Sequence, residues 1–382
     1  MHRRSLLSGG LVSMAGLGVS SQDAAGAQGS PRGGAQGSPR GGAGPRRQTV
    51  VAIRGDEFWI NGKPTYAGRI WQGHKVQGLL MNSRMIQGIY DDRNPETVGR
   101  WAYPDTGKWD PERNTREFMD AMPNWLAHGM LCFVVGMQGG SPQGYSKQQP
   151  WENNPFTANG SLREDYMARL KRILDRSDEL GMVSMVNVFY FGQDERLEGD
   201  AGVLAALDNT VDWVLDHGYT NVILDIVNEA NVRAYQQPLM MTDRAHDLVL
   251  RARARSKGRL LVSVSMGGGA IPPSALIHSS DFVLLHGNGV KDPAIITNMV
   301  SRVRIDPGYA PKPILFNEDD HFDFEQPVNN MLNAVRSYAG WGYFDPGESN
   351  YKDGYQCPPV NWGINTERKR SFFTRLKEVT GV

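Results

Sequence analysis

The sequence predicts an α/β fold in which eight parallel strands close into a (β/α)8 TIM barrel, entered through a short N-terminal β-hairpin. Three observations carry this expectation. From Thr49 onward, short apolar runs alternate with helical patterns, the order that right-handed βαβ crossovers produce. The runs number eight, which favours closure over an open sheet. Several of them, such as Met130-Leu-Cys-Phe-Val-Val135, are apolar without alternation, as in strands covered on both faces. An open doubly wound sheet is the alternative, but no Gly-x-Gly-x-x-Gly opens a helix to mark a dinucleotide site.

The elements follow in order. Residues 50–53 and 58–60 flank Arg54-Gly-Asp-Glu57 and precede the turn Asn61-Gly62, the pattern of a hairpin that could cover the bottom of a barrel. Candidate strands are 85–90, 131–137, 183–191, 222–227, 260–265, 282–286, 314–317 and 340–344. Helical patterns fill the intervals at 115–128, 162–180, 203–216, 242–256, 293–303 and 328–339, with a closing one at 366–379. Ser161 with Glu164 reads as a capping box, and Gly181 and Gly218 stand where helix C-caps belong. Gly267-Gly-Gly269 reads as a bend that lets backbone approach a ligand.

Ahead of this region, residues 1–27 have the layout of an export signal. Arg3-Arg4 suggests the twin-arginine route and Ala25-Gly-Ala27 a cleavage site, implying a periplasmic or extracellular protein. Residues 27–34 recur unchanged at 35–42, and this Gly/Pro/Ser/Arg repeat makes 28–48 a disordered linker. The catalytic domain is therefore expected over 49–382. At 382 residues and 40% hydrophobic content the chain can bury a large core, and the 41 basic residues balance 41 acidic ones. That balance lacks the basic footprint of a nucleic-acid binder, and no later run approaches the ~20 apolar residues of a membrane span. Cys132 and Cys357 are too few for a disulfide framework.

Chemistry concentrates where two runs end. Ile223-Leu-Asp-Ile-Val-Asn-Glu229 and Pro313-Ile-Leu-Phe-Asn-Glu318 each stop abruptly in Asn-Glu, at the fourth and seventh strand ends. The C-terminal rim of a parallel barrel presents its functional groups, so both carboxylates are expected across one mouth, with each Asn pointing away from its Glu. Paired carboxylates suit glycoside hydrolysis, one protonating the leaving oxygen and the other attacking the sugar or activating water.

At these residues the chain resembles clan A of the glycoside hydrolases, the superfamily that includes cellulase-like family 5. The resemblance runs from about Thr49 to the C-terminus and includes the opening segment Phe58-Trp-Ile-Asn-Gly-Lys-Pro64. It implies Glu229 as acid/base, Glu318 as nucleophile and Asn228 as a contact to the sugar 2-hydroxyl, in a retaining double displacement on a β-linked carbohydrate without a cofactor. It also likens Trp341, at the eighth strand, to a ring that floors the −1 subsite. Two departures stand out. Where many members carry a Tyr that bonds the nucleophile, this chain has Leu285-His-Gly-Asn288, so His286 is the candidate for that contact. The Arg that often supports the nucleophile could be Arg84 or Arg93.

Asn187, Tyr190 and Phe191 near the third strand end could line the same pocket. The irregular stretch 139–160, with its Gln, Asn, Tyr and Trp, reads as a subsite wall, and 346–365, with Tyr351, Tyr355 and Trp362, as another. Glu318-Asp-Asp-His321 invites a metal reading, but no His-x-His ends the first strand, so a solvated loop with no metal is preferred. Alternatives are a metal-dependent barrel hydrolase or isomerase and a carbohydrate-binding barrel without catalysis. Sugar, linkage, chain-end or internal cleavage and oligomeric state are not legible.

Overall fold

The computed structural model describes residues 47–382 apart from Lys147 and Ser349. The expected export signal, and the expected linker up to residue 46, lie outside the described residues. Arg47 and Gln48 dock on the folded unit, Arg47 pairing with Asp175 at 2.7 Å and Gln48 N donating to Asp178 at 3.0 Å.

The first elements are β1 (Val51–Arg54) and β2 (Glu57–Ile60), paired antiparallel across a two-residue Gly55-Asp56 turn, with Gly55 at φ 63° supplying the left-handed position the turn needs. β3 (Lys63–Pro64) adds a third strand, and β4 (Ile70–Trp71) with β5 (His74–Lys75) forms a small second hairpin. Eight parallel strands follow: β6 (Asn82–Ser83), β7 (Cys132–Gly136), β8 (Val183–Phe189), β9 (Val222–Val227), β10 (Leu261–Ser263), β11 (Val283–His286), β12 (Ile314–Glu318) and β13 (Gly342–Tyr343). One sheet runs β10-β9-β8-β7, and β11–β12 and β13–β6 pair separately. Single parallel bridges join these pieces, Arg84 to Val134 and Leu315 to Gly340, while Asp281 N donates to Val262 O at 3.0 Å between β10 and β11.

Helices alternate with the strands. α1 (Pro111–Leu126), α2 (Glu164–Leu180), α3 (Gly199–Asp216), α4 (Ala245–Ser256), α5 (Ser274–Ser279), α6 (Pro293–Arg304) and α7 (Asn330–Arg336) each link one strand to the next, and α8 (Glu367–Thr380) closes the chain. Local chemistry fixes their ends. Asp110 and Asp292 cap α1 and α6 just ahead of Pro111 and Pro293, where a missing N–H costs nothing, and Gly181 ends α2 in the left-handed conformation. Two local expectations need correction. α2 starts at Glu164 behind Arg163, because the turn 157–161 has captured Ser161, whose N–H bonds Thr157 Oγ1 and Asn159 Oδ1. The first strand is 82–83 rather than 85–90. Pairing with β7 persists through Met85 and Ile86, after which the chain turns at Gly88 under Phe118 and Ile173.

The strands carry two apolar layers. Residues such as Phe133, Val186, Leu224, Leu285 and Phe316 pack against the helices. The opposite face holds Cys132, Val134, Met185, Ile223, Leu284 and Leu315, and here Phe58 of the N-terminal sheet inserts, meeting Phe282 edge-on at 5.8 Å. The hairpin thus covers the N-terminal ends of the strands and leaves the C-terminal ends for chemistry. Two residues further along, that same face turns polar with Asn187, Asp225, His286 and Asn317, all buried, as the period of two requires.

Candidate active site

Glu318 shares the parity of the helix-facing Phe316 and would not face the site on an ideal strand, whereas Glu229 shares that of Ile223 and Asp225, and a backbone irregularity stands at each carboxylate. On β12 the register passes from Leu285 opposite Phe316 to His286 opposite Glu318, so Asn317 is an extra residue and both it and Glu318 turn to the helix-free face. Asn317 Nδ2 reaches Asp225 Oδ2 at 3.4 Å, which corrects the expectation that this Asn points away. At the end of β9, Glu229 takes φ 55°, a left-handed conformation that costs a non-glycine residue about 1 kcal/mol or more. Its N–H is held by Ser265 Oγ at 3.1 Å. Backbone strain at a functional residue is testable: Glu229→Gly is expected to be about 1 kcal/mol more stable than Glu229→Ala in urea unfolding, reversing the usual order of these two residues.

The two carboxylates meet around His286. One oxygen of each and a ring nitrogen of His286 all lie within 4.8 Å of one another. His286 Nδ1 is 2.9 Å from Glu229 Oε1 and 3.7 Å from Glu318 Oε2, so the histidine serves Glu229 rather than the expected Glu318. Glu318 is held from two other sides. Asn288 Nδ2 donates to Oε1 at 2.6 Å, and the buried Arg84 brings Nε to 2.5 Å from Oε2 as an ion pair whose N–H is not aligned on the oxygen. Of the two candidate arginines Arg84 is therefore the one that meets Glu318, its guanidinium also bonded to Gln356. Arg93 is elsewhere, paired with Asp165 at the surface.

These groups set one another's protonation. Burial pushes the Glu318 carboxyl above its usual range, against Arg84 and His286 and with help from the Glu229 charge. Burial also pushes Glu229 upward, but the bond and charge of His286, then Arg84, outweigh it and hold this carboxyl low. In His286 the downward push of burial is overcome by Glu318 and Glu229. Beneath them burial drives Asp225 up to about 7, against His286 and the two Ser265 bonds. Three carboxylates face one guanidinium and one imidazole, so with His286 protonated the buried group still carries a net negative charge. One further proton neutralises it, and buried charge is costly enough to favour that uptake.

A cavity of about 250 Å³ opens over Glu229 and Glu318, lined also by Arg84, Ser141, Tyr145, Ser146, Tyr190, Phe191, Val232, Ala234, Phe344 and Gln356. Asn228 is buried beside it, its backbone carbonyl bonded by Tyr235. Tyr190 lines the wall with its hydroxyl 3.0 Å from Ser141 Oγ, and its ring stacks on Phe191 at 4.2 Å. Two expected lining residues are elsewhere. Asn187 lies one layer below, donating to Asp225, because two residues along a strand is one step down the same face. Trp341 is on the wrong face of β13: it packs on Phe324 and Phe372 and donates to Asp319 Oδ2 at 2.9 Å, while Phe344, of opposite parity, meets the cavity.

The stretch 139–160 supplies Ser141, Tyr145 and Ser146, but Trp151 is core, edge-on to Trp101 at 5.7 Å. Among the described residues of 346–365 only Gln356 lines the cavity, and Tyr355 and Trp362 stack on each other. The acidic run after Glu318 is not a solvated loop throughout. Asp319 is fully buried, its oxygens taken by Trp341, Asn330 and His321, which leaves little capacity for a cation. It also dictates Gly287, where a Cβ would stand 2.0 Å from Asp319 Oδ2. Gly287→Ala is expected to cost about 1–3 kcal/mol, read as a lower urea midpoint at unchanged slope.

No protein-family model matches the sequence, and no curated relative matches it. Solved structures do. The chain is similar to an endo-1,4-beta-mannanase from Eisenia fetida, with a TM-score of 0.50 at 12% identity over 86% of this chain and 96% of that one. A beta-glucosidase from Thermotoga maritima matches with a TM-score of 0.50 at 10% identity, over 80% and 99% of the two chains. The fold is one that glycoside hydrolases use. A protein from Bacteroides vulgatus assigned to the same activity gives 0.52 at 12% identity over 85% of this chain, which spans only 59% of that protein. The expected resemblance to these enzymes is therefore present in the fold. Among the described residues no helix is long and apolar enough to cross a membrane.

Proposed function

We propose that this chain is a glycosidase that cleaves a β-linked carbohydrate with retention, on a (β/α)8 barrel formed by β6–β13. The observation that carries the reading is that one oxygen of Glu229 and one of Glu318 lie within 4.8 Å of each other in one cavity, too close to seat a water between the two carboxyl groups. Retaining enzymes hold their carboxyl groups about 5–5.5 Å apart, whereas inversion needs about 6.5–9.5 Å to seat a water. The likeness in fold to a mannanase and a beta-glucosidase supports the same activity class.

In this reading Glu318 attacks the anomeric carbon while Glu229 protonates the departing oxygen, and Glu229 then deprotonates the water that releases the sugar. Glu318 must be ionised at the first step, and Arg84 and Asn288 favour that form. Glu229 must carry a proton, and its low carboxyl range places that proton on His286, from which it passes along the 2.9 Å bond when the leaving oxygen arrives. Asn228, whose side chain makes no hydrogen bond to the described residues, serves as the sugar 2-hydroxyl contact. Arg84 already sets a cation against Glu318, so the Glu229, His286 and Glu318 triangle needs no metal, and activity is expected to withstand EDTA.

Proton NMR of 4-nitrophenyl β-glycoside hydrolysis tests the mechanism. The β-anomer of the free sugar is expected first, and the α-anomer first would rule out retention. Export through residues 1–27 belongs to the same proposal, with cleavage after Ala27 checked by N-terminal sequencing of the mature protein.

A further inference from the structure

We infer that the site acts at the chain end and removes one sugar at a time, an inference that rests on the roles proposed for Glu229 and Glu318. In a retaining pair the sugar to be released sits over the nucleophile and the rest of the chain departs past the acid. The far side of Glu318 from Glu229 is therefore where a longer glycone would have to extend.

That side carries a wall. The segment 141–146 leaves β7 and crosses the mouth to the end of β12, where the Tyr145 hydroxyl bonds Asp320 Oδ2. Asp320 is itself anchored, its Oδ1 accepting from Gly289 N at 2.9 Å. Gln356 Nε2 ties down Gly144 O at 2.7 Å, and the Tyr145 ring meets Phe344 edge-on at 5.7 Å. The root of the segment is pressed on Arg84: a Cβ on Gly140 would stand 2.9 Å from the guanidinium nitrogens. Four separate contacts thus wall the cavity behind Glu318. The cavity's 250 Å³ is below the roughly 300–1,000 Å³ of pockets for drug-sized ligands and suits a single sugar ring.

The Glu229 side is built differently. Val232 borders both this cavity and a neighbouring groove of about 500 Å³ that runs along Asn231, Arg233, Met241 and Thr242. This groove would take the remainder of the chain. One ring-sized pocket walled behind Glu318, with one open groove beyond the acid, is the arrangement of an enzyme that trims ends.

The test is the product series from reducing-end-labelled β-1,4-linked gluco- and mannohexaose, run beside hydrolysis of 4-nitrophenyl β-glucoside and β-mannoside. Chain-end action predicts monosaccharide and labelled pentaose as the first products, with disaccharide absent from the early time course. Early labelled di-, tri- and tetraose with intact aryl-glycoside hydrolysis would overturn the chain-end inference and leave the glycosidase reading standing. Hydrolysis of neither probe class, with no covalent adduct from the matching 2-fluoro sugars, would remove both. Asp320→Ala, which frees Tyr145, is expected to let disaccharide appear among the first products; an unchanged series would count against the wall.

Discussion

Glu318→Ala is expected to lower kcat by about 10⁴-fold or more, the range met when a nucleophile that acts within a unit is removed. The loss should be nearly pure chemistry. Glu318 is buried with only its face toward the cavity open, so removing it leaves the rest of the pocket in place. Azide separates the two carboxylates. In Glu318→Ala it fills the emptied position and attacks from the same face, giving the α-glycosyl azide. With Glu229→Ala the glycosyl-enzyme still forms from substrates with good leaving groups, and azide then attacks the opposite face to give the β-glycosyl azide. The order of roles is thus read from the anomer of each product. Identical anomers from both variants would contradict the assignment.

Arg84→Met is expected to give the second largest effect, because it strands a buried carboxylate. Breaking a buried pair by removing one partner costs about 3–5 kcal/mol, since the remaining charge has no compensation. The pH dependence follows from the direction already set. Glu318 is raised above its ordinary value by burial, and Arg84 is the first influence opposing that rise. Without Arg84 the folded-state carboxyl binds its proton still more tightly than the unfolded one does. A raised group contributes stability that is fully present below the unfolded pKa and lost as pH rises through the folded one. The deficit of Arg84→Met in urea unfolding should therefore be small near pH 4 and grow toward pH 8. The acid limb of kcat/KM should move upward in pH, because the nucleophile stays protonated longer. A deficit independent of pH would mean that Arg84 acts by packing alone.

Much of this site was legible because it sits on strands. Glu229 and Glu318 announce themselves in matched Asn-Glu pairs where strand-like runs end, and the alternation of strands and helices places both at the same end of the sheet. The sequence did not reveal how they are aimed. The bulge at Asn317 and the left-handed backbone of Glu229 are set by neighbouring strands, and no local pattern marks either. Trp341 and Asn187 were misplaced for a related reason: being near a strand end fixes the height of a side chain, whereas its parity and layer decide what it meets. Asn288, two residues beyond His286, is a polar interruption that could have been singled out, and it makes the contact to Glu318 expected of the histidine. Gln356 carries no such signal. It reaches Arg84 across 272 residues of chain, through a tail whose path is decided by the stacking of Tyr355 on Trp362.

The central claim is a covalent glycosyl-enzyme on Glu318, and intact-mass spectrometry with a panel of 2-deoxy-2-fluoro glycosyl fluorides tests it most directly. The electron-poor sugar slows both steps and the reactive leaving group restores the first, so the intermediate accumulates. The account predicts a mass increment of one fluorosugar, mapped by proteolysis to the peptide containing Glu318. A label on any other residue, or α-configured product released without an adduct from a sugar the enzyme hydrolyses, would contradict it.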